Sequence, residues 1–140
     1  MNKQQLIDAA LDARSRSYCP YSGFAVGAAL LTADGKVYTG ANIESASYTP
    51  TVCAERVATF TAVHAGERNF AAIAIVGGKA SEAVSDYCPP CGVCRQVLAE
   101  FCEADMPIYL YNGDEIRERT LAELLPDVFD KSQLNRGASL

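Results

Sequence analysis

Two short segments of the chain bring together residue types that can hold a metal ion. The first carries Cys53 and Glu55 in a Cys-Ala-Glu sequence, and the second carries Cys91 and Cys94 in a Pro-Cys-x-x-Cys sequence. Two cysteines at this spacing can bind one ion from a single helical turn, with Cys53 as a third ligand. Three protein ligands leave one position of a tetrahedral zinc ion open, which is typical of a catalytic site. Water there has its pKa lowered to about 7 and becomes a nucleophile at neutral pH.

Each of these segments stands at the start of a predicted helix. Apolar residues at helical spacing predict helices over residues 53–65 and 91–101. The dipole and the free amide groups at a helix N-terminus favour anions, which lowers the pKa of a thiol there. On an ideal helix, Cys53 and Glu55 would point in nearly opposite directions. Placing Glu55 beside the metal therefore requires non-ideal geometry where the helix begins.

The remaining pattern predicts one mixed sheet with helices packed on it, which must position the two segments. An amphipathic helix is expected over residues 3–17, and the Asp34-Gly35 turn joins two antiparallel strands. The expected strands are 24–31, 36–41, 71–76, 107–111 and 115–119, and a short helix is expected over 121–125. Residues 1–130 are expected to form a single catalytic domain, and residues 131–140 a polar C-terminal tail.

Composition restricts the partners and the compartment. The chain of 140 residues has a formal net charge of −5 and no cluster of Lys or Arg, which disfavours a nucleic-acid polymer as partner. Its longest apolar stretch, residues 25–31, is too short to span a membrane, and residues 1–10 lack the apolar core of a secretory signal. We therefore expect a cytoplasmic protein, in which the six cysteines stay reduced and serve metal binding or catalysis.

The zinc segments and three further motifs, in this order and spacing, resemble the small cytidine deaminases. Residues 18–30 (YCPYSGFAVGAAL) resemble that family's first strand and its approach, and residues 42–48 (NIESASY) its nucleoside-binding segment. Residues 124–129 (LLPDVF) resemble its C-terminal signature. The likeness extends from about residue 3 to residue 130. It implies a three-layer α/β/α sandwich with a mixed sheet of about five strands.

The resemblance also implies roles for individual residues. One zinc ion per chain would be held by Cys53, Cys91 and Cys94, with Glu55 as the catalytic proton shuttle. The substrate-binding residues would be Phe24 against the pyrimidine ring, Asn42 and Glu44 at a ribose hydroxyl, Ala54 through its backbone, and Phe129, from the same or a neighbouring subunit, closing the pocket. Alternatively, Phe24 and Phe129 are core residues, and Asn42 and Glu44 form a turn pair.

Arg56 is predicted to support the metal site on electrostatic grounds. Three thiolates on Zn²⁺ leave a formal charge of −1, which opposes the formation of hydroxide on the metal. A guanidinium hydrogen-bonded to the ligand sulfurs would offset this charge, and two helix N-termini would add to the effect. We therefore expect Arg56 to hydrogen-bond the thiolate ligands without binding the metal itself.

The implied function is hydrolytic deamination of cytidine and deoxycytidine to uridine and deoxyuridine, with release of ammonia, in pyrimidine salvage. The family resemblance further implies a homotetramer. One alternative is a deaminase of a related substrate: a nucleotide, a nucleoside antibiotic or a base within RNA. Another is a binding module without catalysis, stabilised by a closed zinc site in which Cys88 is the fourth ligand. A redox dithiol of Cys88 and Cys91 is the third.

Overall fold

The computed structural model describes the backbone of residues 1–138 and the side chains of residues 1–134. In chain order the elements are α1 (Lys3–Arg14), β1 (Phe24–Thr32), β2 (Val37–Ala41), α2 (Ala54–His64), β3 (Phe70–Lys79), α3 (Gly92–Phe101), β4 (Pro107–Tyr111), β5 (Ile116–Thr120), α4 (Leu121–Leu124) and α5 (Lys131–Ala138). Residues 139–140, the end of the segment expected to be a polar tail, lie outside the described residues. None of the described helices is long and apolar enough to cross a membrane.

The five strands form one mixed sheet in the order β2-β1-β3-β4-β5. Strands β1 and β2 form an antiparallel hairpin whose turn contains Gly35 with a φ of 93°. Strand β1 also pairs antiparallel with β3, β3 pairs parallel with β4, and β4 pairs antiparallel with β5. The mixed five-stranded sheet predicted from the sequence is confirmed.

Helices cover both faces of this sheet. Successive side chains of a strand point to opposite faces, so Ala28 and Ala29 of β1 belong to two separate cores. The core that contains Ala29 is closed by buried residues of α1, namely Leu6, Ile7 and Ala10. The core that contains Ala28 is closed by α2, α3 and α4. The three-layer α/β/α sandwich is therefore confirmed.

Among the predicted helices and strands, α1 and β3 have boundaries that differ from the prediction by more than one residue. Helix α1 ends at Arg14, because residues 15–17 leave the helix in successive tight turns. Strand β3 continues to Lys79, because Gly77 and Gly78 still pair with β1 although they carry no apolar side chain that would signal a strand. The extension matters for the site, since it brings the end of β3 beside the first residues of β1.

Helix α2 packs on β2 so closely that a side chain is excluded at Gly40. A Cβ added there would lie 2.5 Å from the carbonyl oxygen of Ala54 and 2.5 Å from the amide nitrogen of Ala58. Both obstacles are backbone atoms, so relief requires moving the helix start. We expect Gly40→Ala to lower the free energy of unfolding by about 2 kcal/mol or more, as measured by urea denaturation.

Gly92→Ala is the matched control for this prediction. An added Cβ at Gly92 meets open space, so the same substitution should leave stability unchanged or raise it slightly. Both variants are compared in the same zinc-loaded state. Equal stability of Gly40→Ala and the parent would show that α2 is free to move away from β2.

Candidate active site

The start of each long helix on one face of the sheet presents a cysteine. Cys53 is the N-cap residue of α2 and Cys91 is the N-cap residue of α3, and both have extended backbones, with ψ of 155° and 168°. Neither thiol caps its own helix. Cys94 lies on the first turn of α3 and is buried. The two helix N-termini thus place their positive dipole ends at the three sulfurs.

The spacing of the three sulfurs fits a zinc ion. The sulfurs of Cys53 and Cys91 are 3.8 Å apart, those of Cys91 and Cys94 are 3.5 Å apart, and all three lie within 4.8 Å of one another. Two thiolates of a tetrahedral zinc site, each about 2.3 Å from the metal, stand about 3.8 Å apart. The donor set also fits, since three thiolates are soft ligands suited to zinc. The predicted ligand cluster is therefore present.

The close approach of the sulfurs shifts the pKa values of two of the thiols in opposite directions. Hydrogen bonding from the Cys94 thiol, together with the Arg56 guanidinium, lowers the pKa of Cys53 to about 5. The pKa of Cys94 is raised, first because its proton is held by the Cys53 sulfur. Three sulfurs this close cannot all be anionic by themselves. A divalent cation bound among them would stabilise the anionic form of all three thiols, because metal binding releases the thiol protons.

Glu55 reaches the same site because Cys53 does not belong to the helix. The extended backbone of Cys53 removes the opposition between the two side chains that an ideal helix would impose. Glu55 is only 4% exposed and lines the cavity beside Cys53. Burial raises the pKa of its carboxyl group to about 7. The helix start therefore has the non-ideal geometry that the sequence required.

Arg56, on the first turn of α2, turns toward the sulfurs. Its Nη2 donates to the Cys53 sulfur at 3.4 Å. Its Nε is buried and has no hydrogen-bond partner among the described residues. The guanidinium therefore lies beside the sulfurs, where its positive charge offsets their negative charge. Its effect on metal retention remains a prediction.

We expect Arg56→Ala to reduce both zinc content and activity. Removing a group that hydrogen-bonds a metal ligand typically costs about 10- to 100-fold in metal affinity or activity. Zinc per chain is measured by metal analysis, and activity by turnover of the substrate that the sequence motifs imply. Arg16→Ala, which removes an exposed guanidinium paired with Asp12, is the control and should change neither quantity. If zinc content and activity are both unchanged in Arg56→Ala, the assigned role is wrong.

A cavity of about 350 Å³ opens beside the three sulfurs. This volume is within the range of about 300–1,000 Å³ that small-molecule sites occupy. The cavity is lined by Ser22, Phe24, Val26, Asn42, Glu44, Thr51, Val52, Cys53, Glu55, Cys88, Pro89 and Cys91. Among these described residues the charged side chains are Glu44 and Glu55, and none is Lys or Arg. The cavity therefore favours a neutral ligand over an anionic one.

Asn42 lies in the cavity wall with most of its carboxamide engaged by the protein. Its Oδ1 accepts hydrogen bonds from the Ser17 hydroxyl and from the backbone amide of Val26, and its Nδ2 donates to the carbonyl of Phe24. An amide nitrogen has two hydrogens, so one donor position of Asn42 remains for a ligand. The side chain thus holds the start of β1 while keeping one hydrogen-bonding group for the cavity.

Glu44, which also lines the cavity, is held by hydrogen bonds from residues that precede β1. Its Oε1 accepts from the backbone amides of Tyr21 and Ser22, and its Oε2 accepts from the Ser22 hydroxyl. These hydrogen bonds, that of the hydroxyl first, lower the pKa of the carboxyl group. A carboxylate has about four acceptor positions, so Glu44 can still accept from a ligand.

The two predicted aromatic contacts differ in position. Phe24 lines the cavity and is 42% exposed, so its ring is not a core residue. Phe129 is 62% exposed and is not among the described residues that line this cavity. Ala54 is fully buried at the first position of α2, where a backbone amide has no partner within the helix.

Cys88 occupies a different position from the three clustered cysteines. Its sulfur packs over Gly77, where an added Cβ would lie 2.7 Å from it. Burial raises the pKa of the Cys88 thiol to about 12, which keeps it protonated. Within the described part of the chain, the group of potential metal ligands contains Cys53, Cys91 and Cys94 without Cys88. This arrangement favours an open three-thiol site over a closed four-thiol site.

The sequence left open whether Arg95 and Gln96 support the site or face solvent, and it gave no role to Ser22. Arg95 donates to the carbonyls of Pro90 and Leu124, which ties the metal-binding loop to α4. Gln96 donates to the carbonyl of Phe129. Ser22 bonds Glu44 across a separation of 22 residues. The helical pattern left Arg95 and Gln96 without a contact, and a Ser before a Gly indicates only a turn.

Comparison with known proteins was consistent with this site. Residues 1–110 match the family described as the cytidine and deoxycytidylate deaminase zinc-binding region. The chain is 49% identical to a cytidine deaminase from Sporosarcina psychrophila, over 99% of this chain and 98% of that protein. It is 51% identical to a cytidine deaminase from Halalkalibacterium halodurans, over 96% of this chain and 99% of that protein.

The fold agrees as well. A crystal structure of cytidine deaminase from Burkholderia pseudomallei superposes with a TM-score of 0.84 at 47% identity, over 92% of this chain and 100% of that chain. The resemblance found in the sequence motifs is therefore confirmed. The metal-ligand cluster, the sheet and the matches over nearly the whole length agree, and the chain belongs to the cytidine and deoxycytidylate deaminase family.

Proposed function

We propose that the protein deaminates cytidine and deoxycytidine by hydrolysis, giving uridine or deoxyuridine and ammonia. The observation that carries this proposal is a cluster of three thiols, two of which line the same cavity as the buried carboxyl group of Glu55. A bound zinc ion, held by Cys53, Cys91 and Cys94, would supply a nucleophile from water at neutral pH. The relatives bearing the name cytidine deaminase support the same substrate class.

Glu55 is proposed to move the protons of the reaction. It accepts a proton from the attacking water and delivers it to the ring nitrogen N3 while oxygen bonds to C4. It then carries the second proton of that water, now on the oxygen bound to C4, to the amine. The bond between C4 and the amine nitrogen breaks as the C4 carbonyl forms, which yields the pyrimidine ketone and ammonia. Its buried position at the cavity wall supports this role, because one carboxyl group must reach the nucleophile, the ring and the leaving group.

The remaining cavity residues are proposed to bind a nucleoside. Phe24 lies against the pyrimidine ring, Ala54 offers its free backbone amide to the base, and Asn42 with Glu44 holds a ribose hydroxyl. The spare hydrogen of Asn42 and the spare acceptor positions of Glu44 support this assignment, since a hydroxyl both accepts and donates.

A nucleoside is favoured over a nucleotide by the charge of the cavity. The described lining carries the carboxyl groups of Glu44 and Glu55 and no cationic side chain, so a phosphate would meet no counter-charge there. A base within RNA is disfavoured for the same reason and by the net charge of −5.

We also propose a homotetramer in pyrimidine salvage, working in the cytoplasm. Self-association is supported by the exposed apolar side chains of Phe60 on α2 and Val93 on α3, which line one surface groove. It is also supported by Phe129, which is exposed and is not among the described residues that line the cavity of its own chain.

Six free cysteines support a reducing compartment. Residues 1–130 would be the single catalytic domain and residues 131–140 an appended polar tail. Light scattering of the purified protein measures the mass of the assembly. A tetrameric mass supports the proposed homotetramer, and a monomeric mass contradicts it.

The substrate proposal is tested by the loss of cytidine ultraviolet absorbance with zinc-loaded protein. Conversion of cytidine and deoxycytidine, with no conversion of cytidine monophosphate, is the expected result. Conversion of the monophosphate alone would assign the activity to a nucleotide instead. An inactive protein whose zinc-edge absorption spectrum shows four sulfurs would support the structural-zinc alternative.

A further inference from the structure

The hydroxyl of Ser22 joins two groups of the proposed substrate cavity. It donates to Glu44 Oε2, and it accepts from the backbone amide of Phe24 at 3.0 Å. The same residue donates its own backbone amide to Glu44 Oε1 at 3.1 Å. A single side chain therefore fixes the carboxylate proposed to hold the ribose and the backbone of the residue proposed to contact the base.

This arrangement rests on a turn that ends at Gly23, where two backbone hydrogen bonds hold it. The Gly23 amide donates to the Cys19 carbonyl at 3.0 Å, and the Gly23 carbonyl accepts from the Ala80 amide at 2.8 Å. Gly23 has a φ of 67°, which a glycine adopts without strain. From the other side, Asn42 Nδ2 donates to the Phe24 carbonyl. Phe24 is thus held at its amide by Ser22 and at its carbonyl by Asn42.

We propose that Ser22 is a positioning residue for nucleoside binding that acts through Glu44. Without the hydroxyl, Glu44 Oε2 loses its donor in the protein, and the carboxylate can rotate about its remaining contacts to Oε1. A ligand hydroxyl would then meet an acceptor whose direction is not fixed, which weakens binding without altering the reacting atoms. Ser22 lines the same cavity as Glu55, but its hydrogen bonds among the described residues go to Glu44 and Phe24, so the chemical step should be unaffected.

The test rests on the proposed function, because it uses cytidine deamination as its readout. Ser22→Ala is expected to raise KM for cytidine about tenfold, the lower end for loss of a hydrogen bond to a charged group, with kcat unchanged. Ser22→Thr keeps a hydroxyl and should restore a KM close to that of the parent. Ser81→Ala, at an exposed serine in another loop, is the control and should not change KM.

A double-mutant cycle separates positioning from general weakening of the turn. In a Glu44→Ala background, Ser22→Ala should have no further effect on KM, because the group it positions is gone. An unchanged KM in Ser22→Ala, a lower kcat, or an equal effect in both backgrounds would each overturn the proposal. In each of those cases the parent protein would still deaminate cytidine, so the proposed function would stand. A zinc-loaded parent that does not deaminate cytidine would instead overturn the proposed function, and this proposal with it.

Discussion

Replacing Glu55 with glutamine is expected to lower kcat for cytidine by about 10³-fold or more while zinc is retained. General acid and base catalysis by one group contributes about 10²- to 10⁴-fold, and here the same carboxyl group serves several proton transfers. Glutamine keeps nearly the shape of the side chain in a site where Glu55 is 4% exposed, so packing should survive. The measurement is kcat from the loss of cytidine absorbance, with zinc per chain determined on the same samples.

Glu115→Gln is the matched control for this prediction. Glu115 is exposed in the turn between β4 and β5, so the same change of charge there should leave kcat unaltered. Substrate binding by Glu55→Gln, measured by calorimetry, should remain detectable because Phe24, Asn42 and Glu44 are intact. A zinc-loaded Glu55→Gln protein with the kcat of the parent would remove Glu55 from the mechanism.

Replacing Cys94 with alanine is expected to abolish stoichiometric zinc binding and, with it, measurable deamination. Cys94 is buried, and its sulfur lies within 4.8 Å of the sulfurs of Cys53 and Cys91. Two remaining thiolates, one from each helix start, make an incomplete set for a metal that takes three or four protein ligands. Zinc per chain should fall to a small fraction of the parent value after dialysis against a mild chelator.

Two further cysteine variants serve as controls. Cys102→Ala removes a half-buried thiol at the end of the same helix and should retain zinc. Cys88→Ala tests the closed four-thiol alternative, since Cys88 would be a ligand only in that arrangement. Full zinc occupancy in Cys88→Ala and Cys102→Ala, together with loss in Cys94→Ala, is the expected pattern. Loss of zinc in Cys88→Ala would contradict the three-thiol site.

Much of the chemistry was determined by the sequence by itself. The Cys-x-Glu and Pro-Cys-x-x-Cys spacings predicted the ligands because metal binding needs particular donor atoms near helix starts, and these are local properties of the chain. The sheet was predictable from alternating and continuous apolar runs, since burial imposes a period on each element. The observed strand β3 is longer than the predicted one because Gly77 and Gly78 carry no apolar side chain that would show this period.

Only the tertiary structure decided how distant residues meet. Helix α2 begins against Gly40 of β2, and this packing places Cys53 and Glu55 at the same cavity. Cys88 lies against Gly77 of β3, outside the cluster of potential ligands among the described residues. The bond between Ser22 and Glu44 joins two loops. A sequence pattern records the period and donor type of each segment, whereas such contacts depend on how the segments pack in three dimensions.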